Sequence, residues 1–445
     1  MSTPPAPDQT HAQPAGSRTG TGLRELIRHT QSSAELHAIW RGRDEAQWAA
    51  EPELYLELAA RFMGNGDGLL AHEVLVEARA ALAEPDLRIE HQYGLVLART
   101  GATERAAAVA RALRPQLAVT RDGSAEADRM LAEVDGLLAR TEKDLGLRAA
   151  TVAERDRHLR QSFVEYSTGY ERSGEYYLAI NAATLALLLG DDAAMRQYAA
   201  HARAGATAEL AQHASPWAEA TLGEVALLHG DHDEAATRYA AAAHALSARL
   251  DHIASMRRQA RLILEQRGAA VAWLDDVFAI PAVVAFAAAS SLTVPDAAQE
   301  IPIERALREC MERVRAGFGF SAAAPGSETI FLELMVERGA KITIVLPCGR
   351  KQYERSYVAP AGDDWLPRYT RLLDAAHEII EASPAAAMSR VTFEYAHLLL
   401  AGLAAMQSQF LDARLITLVH DETEQSSVTA QWRAQGHDVQ LLDIR

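Results

Sequence analysis

Residues 23–270 carry apolar side chains at intervals of three and four residues almost throughout, and short glycine-containing turns divide this stretch into helical lengths. Gly66 and Gly101 are 35 residues apart, and Gly190 and Gly230 are 40 residues apart. Such a period is typical of helical hairpins, in which glycine ends one helix in the left-handed conformation and a polar residue caps the next. Because one hairpin cannot bury its apolar face alone, the stretch is predicted to fold as a continuous array.

This two-helix period resembles that of tetratricopeptide repeats. The turns stand in "MGNGDGLLAHEVLVEA", "RTGATERAAAVARAL", "LLGDDAAMRQYAAHA" and "LHGDHDEAATRYAAAA", and alanines allow neighbouring helices to approach closely. From residue 102 to residue 189 the helical pattern persists, but the glycine-containing turns are less regular. The number of repeats therefore stays open. The resemblance implies an extended concave surface, on which the expected partner is a protein.

One turn of the array contains side chains that are able to bind metals. These are His229, Asp231, His232 and Asp233. Their position between two helices favours a simpler interpretation, in which an aspartate caps the following helix and the histidines are solvated. We therefore predict no metal site.

Residues 169–192, "GYERSGEYYLAINAATLALLLGDD", resemble the TRAF-binding central regulatory region of the apoptosis signal-regulating kinases. The matching positions are Tyr177, Ile180, Asn181, Ala183 and Leu185, and Ala179 replaces a glycine. The resemblance implies a role in assembly and signal transduction. From the residues themselves, Asn181 is expected to hydrogen-bond to the next repeat, and packing is favoured over ligand binding for Tyr177 and Asn181.

Composition limits the classes of partner. The net charge of −16, from 44 Lys and Arg against 60 Asp and Glu, argues against binding of the whole chain to nucleic acid or to an anionic membrane. The two cysteines, Cys310 and Cys348, do not indicate an oxidising compartment. The apolar run "AIPAVVAFAAASSLTV" is too short to span a membrane and contains Pro281. We therefore expect a cytoplasmic protein, and the high alanine and arginine content suggests a bacterial origin.

Residue composition and apolar pattern divide the chain into three parts. Residues 1–22 are rich in Pro, Gly, Ser and Thr and are predicted to form a flexible tail. Residues 23–275 are assigned to the helical array, and residues 276–445 to an α/β domain. In the last part the predicted strands are 281–288, 318–322, 341–347, 414–420 and 438–444. Apolar strands between amphipathic helices imply a three-layer, Rossmann-like domain with a mostly parallel sheet.

Right-handed crossovers place the carboxyl ends of these strands on one edge, where open α/β sheets bind ligands. In "FSAAAPGSETIF" a turn of small residues precedes a helix, whose free N–H groups point to the same place. The candidate ligand-binding residues are Ser321, Ala323, Gly326, Ser327, Arg350, Lys351, Arg355 and His420, and the same edge carries Ser290, Ser291, Cys348 and Asp421. They fit a nucleotide-like ligand, whereas the single glycine and the early Glu328 argue against a phosphate.

The segment "GFGFSAAAPGSETIFLELMVERGAKITIVLP" resembles the Rossmann-like nucleotide-sensing superfamily that includes the DNA-processing protein DprA and the Lonely Guy phosphoribohydrolases. Its Gly-rich turn is reduced here to residues 322–326. Enzymes of that superfamily and TIR-type NAD glycohydrolases carry a glutamate on a helix, and Glu333 is the nearest counterpart. The resemblance implies a catalytic carboxylate at Glu333. From the residues alone, a position on the solvent face of the helix is favoured.

Together these observations favour a signalling or scaffold protein, in which the array binds a protein partner and the α/β domain senses a nucleotide-like ligand. No further cofactor is indicated. The alternative is a nucleotide or NAD N-glycosidase with Glu333 as its carboxylate. A third hypothesis is that the α/β domain serves only for self-association, which makes the chain a homo-oligomer.

Overall fold

The computed structural model describes residues 20–120, 125–289, 294–385, 387–421 and 426–444. The first part of the chain is the predicted helical array. Its helices are α1 Gly20–His29, α2 Ser33–Arg41, α3 Glu45–Ala50, α4 Glu53–Gly64, α5 Gly68–Ala81, α6 Leu87–Arg99, α7 Thr103–Thr120, α8 Ala125–Arg148, α9 Val152–Ser173, α10 Tyr176–Leu188, α11 Asp192–Leu210, α12 Pro216–His229, α13 His232–Ala245 and α14 Leu250–Gln266. The predicted tail, 1–22, falls almost entirely outside the described residues, and α1 begins within it.

The glycines of the sequence period have the predicted conformation. Their φ angles are 87° at Gly66, 92° at Gly101, 75° at Gly190 and 83° at Gly230. After the last of these turns, Asp231 caps α13, because its carboxylate accepts the backbone N–H of Glu234 at 3.0 Å. The ring of His229 lies 2.8 Å from the carbonyl oxygen of Val225. This turn therefore has the capping role that its sequence predicts.

Consecutive helices pack as hairpins: α4 with α5, α6 with α7, α8 with α9, α10 with α11, and α12 with α13. The helices of the α8–α9 hairpin are unusually long, at 24 and 22 residues. Their length explains why the turns are less regularly spaced in this part of the sequence. Helix α14 contacts α10, α12 and also α4. The array therefore curves until its end meets its beginning.

The α/β part of the chain alternates strands and helices. The strands are β1 Ala282–Ala288, β2 Ala316–Ser321, β3 Lys341–Leu346, β4 Glu378–Glu381, β5 Leu415–His420 and β6 Val439–Leu441. The helices are α15 Leu274–Phe278, α16 Ala297–Val314, α17 Ser327–Glu337, α18 Arg350–Tyr353, α19 Trp365–Ala375, α20 Arg390–Leu411 and α21 Ser427–Ala434. The described strands form one sheet in the order β4-β3-β2-β1-β5-β6, with every pair parallel.

Strand β4 is absent from the strands that the sequence predicts, which assigns a helix to this region. The strand is only four residues long, "EIIE", and lies at an edge of the sheet, where it pairs with β3 alone. Its two central isoleucines are too few to produce an alternating pattern. His420 therefore ends the fifth strand rather than the fourth.

Alternate residues of β1 face two different helical layers. Val284 and Phe286 belong to the apolar cluster formed with α16, α17 and α19. Val283 and Ala285 belong to a cluster that includes α20, α21 and the helices of the first half of the array. The array and the α/β domain therefore share one core, with α20 between the sheet and the array. In the described part of the chain, no helix has both the length and the apolarity needed to cross a membrane.

Candidate functional site

The concave side of the curved array forms an open cavity of about 1120 Å³. Helices α6, α8, α10, α12 and α14 supply most of its wall, and the end of α20 closes one side. From α6 onward, the first helix of each hairpin therefore faces inward, as expected for the concave surface of a superhelical array. The volume is comparable with that of pockets for small ligands.

A polar network crosses the wall of this cavity and joins four helices. Lys143 Nζ on α8 donates to Oδ1 of Asn181 at 3.5 Å and to Oε1 of Gln259 at 3.0 Å. Gln259 Nε2 and Thr184 Oγ1 donate to Oε1 of Glu224 at 2.9 and 2.6 Å. Burial lowers the pKa of Lys143 and raises the pKa of Glu224. The two charged groups are thus stabilised mainly by neutral partners.

Tyr177 and Asn181, singled out by their resemblance to a kinase regulatory region, both line the cavity. Asn181 Nδ2 donates to the carbonyl oxygen of Tyr177 at 2.8 Å, and its Oδ1 accepts from Lys143. The partner from outside its own helix therefore lies in the preceding hairpin, not in the next repeat. Within the described residues, the hydroxyl groups of Tyr177 and Tyr239 are buried without a hydrogen-bond partner.

A buried ion pair joins α6 to the beginning of α14. Arg99, in the cavity wall, has NH1 at 2.5 Å from Oδ2 of Asp251, which also contacts Arg249 and His252. Burial alone raises the pKa of Asp251, but Arg99 and Arg249 outweigh it and lower the pKa to about 2. Burial lowers the pKa of His252 to about 4. The Arg99–Asp251 pair therefore stabilises the contact of α14, the last helix of the array, with α6 in its first half.

Three arginines of α14 hold the carboxyl end of α20 in the α/β domain. Asp412 accepts from Arg257 at 2.6 Å and from Arg261 at 2.5 Å. NH2 of Arg258 donates to the carbonyl oxygens of Gln409 and Phe410, at 2.9 and 3.2 Å. These cations meet both an aspartate and the negative end of a helix dipole. We call this contact the α14–α20 clamp; it borders the cavity.

A second junction joins the two parts of the chain at the α4–α5 turn. Asp67 precedes α5 but does not cap it. Its carboxylate instead contacts Lys341 Nζ at 2.9 Å, Nε2 of His377 at 3.0 Å and the hydroxyl of Ser33 at 2.6 Å. Burial alone raises the pKa of Asp67, but Lys341 and His377 outweigh it and hold the pKa well below its usual range. This aspartate therefore anchors the array to β3.

At the predicted ligand edge of the sheet, the turn after β2 binds a carboxylate of the protein itself. Glu328 is 2% exposed, and its oxygens accept the N–H groups of Ala288 and Ala324, both at 3.0 Å. Burial raises the pKa of Glu328, whereas these N–H groups and the side chain of Ser321 act in the opposite direction. These two N–H groups are therefore not free for a phosphate.

Four other predicted residues belong to the same edge of the sheet, three in or next to the turn after β2 and one at the end of β5. Ser321, Ala323, Ser327 and His420 are all buried. Gly326 has a φ of 111°, and a Cβ there would lie 3.2 Å from Cδ of Pro295. Glycine is thus required at position 326 for the path of the chain.

The predicted cations follow β3, the neighbour of β2, and so belong to the same edge. Arg350, Lys351 and Arg355 are exposed on α18 and on the π-helical turn Glu354–Val358. Cys348 is fully buried, which raises the pKa of its thiol. Ser290 and Ser291 lie outside the described residues.

Glu333, the predicted catalytic carboxylate, forms a bidentate ion pair. Its two oxygens accept from Nε and NH2 of Arg368, at 2.9 and 2.5 Å. NH1 of Arg368 also donates to Glu300 at 2.9 Å, and its guanidinium stacks over Trp365 at 4.4 Å. Glu333 therefore joins α17 to α19.

The cavity was not predicted from the sequence. Lys143, Glu224 and Gln259 occur on separate amphipathic helices, where single polar residues normally indicate a solvated face. One residue could have pointed to the cavity: Glu224 is the charged residue of the otherwise apolar "ATLGEVALLHG". Such a residue is buried only when other elements supply its partners.

Comparisons with known proteins support the array. The family described as "Tetratricopeptide Repeats-Sensor" matches residues 71–186, from within α5 to within α10. A solved structure entitled "Circular tandem repeat protein with novel repeat topology and enhanced subunit contact surfaces" is 16% identical and covers 88% of this chain and 76% of its own. Its TM-score is 0.15, too low to support an argument. A search of curated proteins found no match.

The family match supports tetratricopeptide-like repeats, and such repeats suggest a scaffold or protein-interaction role. The matched segment includes Arg140, Lys143, Tyr177 and Asn181 of the cavity wall. The comparisons do not support the resemblances to the apoptosis signal-regulating kinases or to the DprA and Lonely Guy superfamily. TRAF binding, nucleotide binding and a bacterial origin remain hypotheses.

Proposed function

We propose that this protein is a signalling or scaffold protein, whose helical array binds a segment of a partner protein at its cavity and whose α/β domain responds to that binding. The observation that carries the proposal is the cavity itself, which is formed by the concave face of the array and bordered by α20 of the other domain. Concave surfaces of helical repeat arrays are used for binding.

Two exposed apolar side chains in the cavity wall suit a protein partner. Trp217 on α12 is 42% exposed, and Leu147 on α8 is 43% exposed. Single exposed apolar residues are ordinary, but aromatic anchors beside a concave site are typical of binding hot spots. A partner segment would bury both side chains.

The α14–α20 clamp supports the second half of the proposal. Helix α14 supplies cavity residues and also the arginines that hold Asp412. Helix α20 packs directly on β1, β2, β3 and β5. A displacement of α14 on binding would therefore act on the sheet through one intervening helix.

A nucleotide-like ligand at the sheet edge, which the sequence suggests, is less favoured as the recognised molecule. Glu328 already uses N–H groups of the turn, and a carboxylate there repels phosphate. The N-glycosidase alternative is also less favoured, because the ion pair with Arg368 holds Glu333 in a structural role. Neither Glu328 nor Glu333 lines the cavity, so these two arguments leave the proposed partner site unchanged.

The proposal is tested by partner capture with the full chain and quantitative mass spectrometry of the captured protein. Leu147→Asp and Trp217→Ala should each reduce capture of the partner by at least about tenfold, the effect of removing a hot-spot residue. Val164→Asp is the matched control, because Val164 is exposed on α9 and does not line the cavity. Equal capture by all three variants and the wild type would contradict a partner site at the cavity.

The same preparation tests the alternative. The protein is incubated with NAD and with nucleoside monophosphates, and release of the base is measured by chromatography. We expect no release. Base release that disappears in the Glu333→Gln variant would overturn the proposed function in favour of an N-glycosidase.

A further inference from the structure

Helix α20 carries an exposed apolar stripe along most of its length. Val391 is 71% exposed, Tyr395 is 48% exposed and Met406 is 41% exposed. Between them, Leu398 is partly exposed and Gly402 is exposed. Successive members of this set are three or four positions apart, so all five lie on one side of the helix. We call these five residues the α20 face.

The sheet and the array contact other parts of α20. Leu400 and Ala404, on the opposite side of the helix, belong to the apolar cluster shared with the sheet. The array contacts the carboxyl end, where Gln407 donates to the carbonyl oxygen of Gly66 at 2.8 Å and the α14–α20 clamp holds residues 409–412. None of the five residues of the α20 face lines the cavity. The face is therefore separate from the proposed partner site.

The α20 face has no charged side chain. From Tyr395 to Phe410 the helix contains no Asp, Glu, Lys or Arg, although 23% of the residues of the chain are charged. The solvated side of a surface helix normally carries such residues. Two copies of a chain with a net charge of −16 repel each other, and an uncharged face is where this repulsion is weakest. The face therefore suits contact with an equally acidic molecule.

Gly402 has no structural role within the described part of the chain. It lies inside the helix, where glycine is less favourable than alanine. Among the described residues, no neighbouring atom lies within 4 Å of the position that a Cβ would take. A glycine at the surface of a helix does, however, allow another backbone or a large side chain to approach closely. This residue therefore points to a partner on the α20 face.

The α20 face is complementary to itself when the helix is reversed. Its midpoint falls at residues 398–399, and Tyr395 and Gly402 are equally far from it on opposite sides. Val391 and Met406 are also equally far from it. In an antiparallel pair of these helices, the largest side chain of the face therefore stands opposite the glycine of the other copy. A twofold interface requires such complementarity, because both copies contribute the same patch.

We propose that this chain forms a twofold-symmetric dimer, in which α20 packs antiparallel against α20 of a second copy through the α20 face. The contact extends over about 22 Å of each helix, at 1.5 Å per residue from Val391 to Met406. The inference goes beyond the proposed function, because the partner segment binds in the cavity and the second copy binds elsewhere.

Sedimentation equilibrium of the full chain over a range of concentrations tests the proposal. We expect the mass to rise with concentration from the chain mass of 48.3 kDa towards twice that value. A wild type that keeps the mass of one chain at every concentration would overturn the proposal.

Val391→Glu should weaken the dimer by at least about tenfold, because it places a charge in an apolar contact. Val152→Glu is the matched control: Val152 is 74% exposed and also lies at the beginning of a helix, α9. The control should associate like the wild type. Equal association of the two variants would contradict a contact at the α20 face.

Gly402→Gln separates the stability of one chain from association. Glutamine is a better helix former than glycine and has room in the single chain, so the Tm of the dilute variant should not fall. Its side chain takes the space of Tyr395 from the second copy, so the dimer should weaken by at least about tenfold. Undiminished association of this variant, with circular dichroism showing a folded helix, would overturn the proposed packing.

A double variant tests the antiparallel register. In Val391→Glu with Met406→Lys, each new carboxylate stands opposite a new ammonium group of the second copy, so much of the lost association should return. A double variant that associates no better than Val391→Glu alone would overturn the antiparallel arrangement.

Partner capture decides between a second copy and a different protein at this face. A monomeric wild type, together with a captured protein that Val391→Glu loses, would overturn the proposal in favour of that protein. Leu147→Asp and Trp217→Ala, which test the cavity, should leave the mass of the dimer unchanged. Failure of the dimer is therefore distinguishable from failure of the proposed function.

Discussion

Replacement of Asp412 by asparagine should loosen the α14–α20 clamp without changing its shape. Asp412 has a φ of 52°, in the left-handed region, which asparagine tolerates about as well as aspartate. The substitution removes the charge that Arg257 and Arg261 contact at 2.6 and 2.5 Å. Any effect is therefore attributable to the lost ion pairs rather than to backbone strain.

The magnitude follows from the burial and from the remaining partners. The side chain of Asp412 is 9% exposed, and removal of one member of a buried ion pair costs about 3–5 kcal/mol. Arg257 keeps Asp275 at 2.6 Å, and Arg261 keeps Glu265 at 3.2 Å. We therefore expect a smaller loss of about 2 kcal/mol, typical of a hydrogen bond to a charged group.

Hydrogen–deuterium exchange of the full chain measures this loss locally. Amides in the last turn of α20 and in the facing part of α14 should exchange about thirtyfold faster in Asp412→Asn, the factor that corresponds to the expected free energy. Amides of α16, on the far side of the sheet, should be unaffected. Asp374→Asn, at an exposed position of α19, is the control. Unchanged exchange at the end of α20 would refute the idea that the arginines of α14 hold this helix.

Two further predictions concern the stability of the whole chain. Lys341→Met leaves the buried Asp67 with His377 and Ser33 alone, so it should lower the free energy of unfolding by about 3 kcal/mol in denaturant titration. Lys351→Met, at an exposed position, should change it by less than about 0.5 kcal/mol, and equal effects would contradict the anchoring role of Asp67. Burial lowers the pKa of His397 in the folded chain to about 4, from the ordinary histidine value of 6.5. The neutral ring therefore contributes its full share to the free energy of unfolding above pH 6.5, and this share is lost as the pH falls through 4. The loss should reach about 3 kcal/mol, and a pH profile of Tm that is the same in His397→Phe and the wild type would contradict it.

Local rules accounted for much of the fold. Glycine turns at the hairpins depend only on the steric freedom of one residue, and their positive φ angles agree with the sequence. Long apolar runs such as "KITIVL" indicated the central strands, because a strand buried on both faces needs little else. The short edge strand β4 lacked such a run and was missed.

The candidate sites depended on contacts that no local pattern contains. Asp67 reads as a helix cap, yet it pairs with Lys341, which is 274 residues away. Glu328 reads as a first-turn residue that favours the helix dipole, and only the approach of β1 shows that it accepts the N–H of Ala288. In both cases the partner belongs to a distant element.

The sequence by itself determined that helical hairpins precede a parallel α/β sheet, because glycine conformation and apolar periodicity act over a few residues. Only the tertiary structure decided that the array curves back on itself, that α20 joins it to the sheet, and that Arg140, Lys143 and Arg258 face one cavity. The physical reason is that curvature accumulates from small rotations between successive hairpins, and these depend on side-chain packing across whole helices.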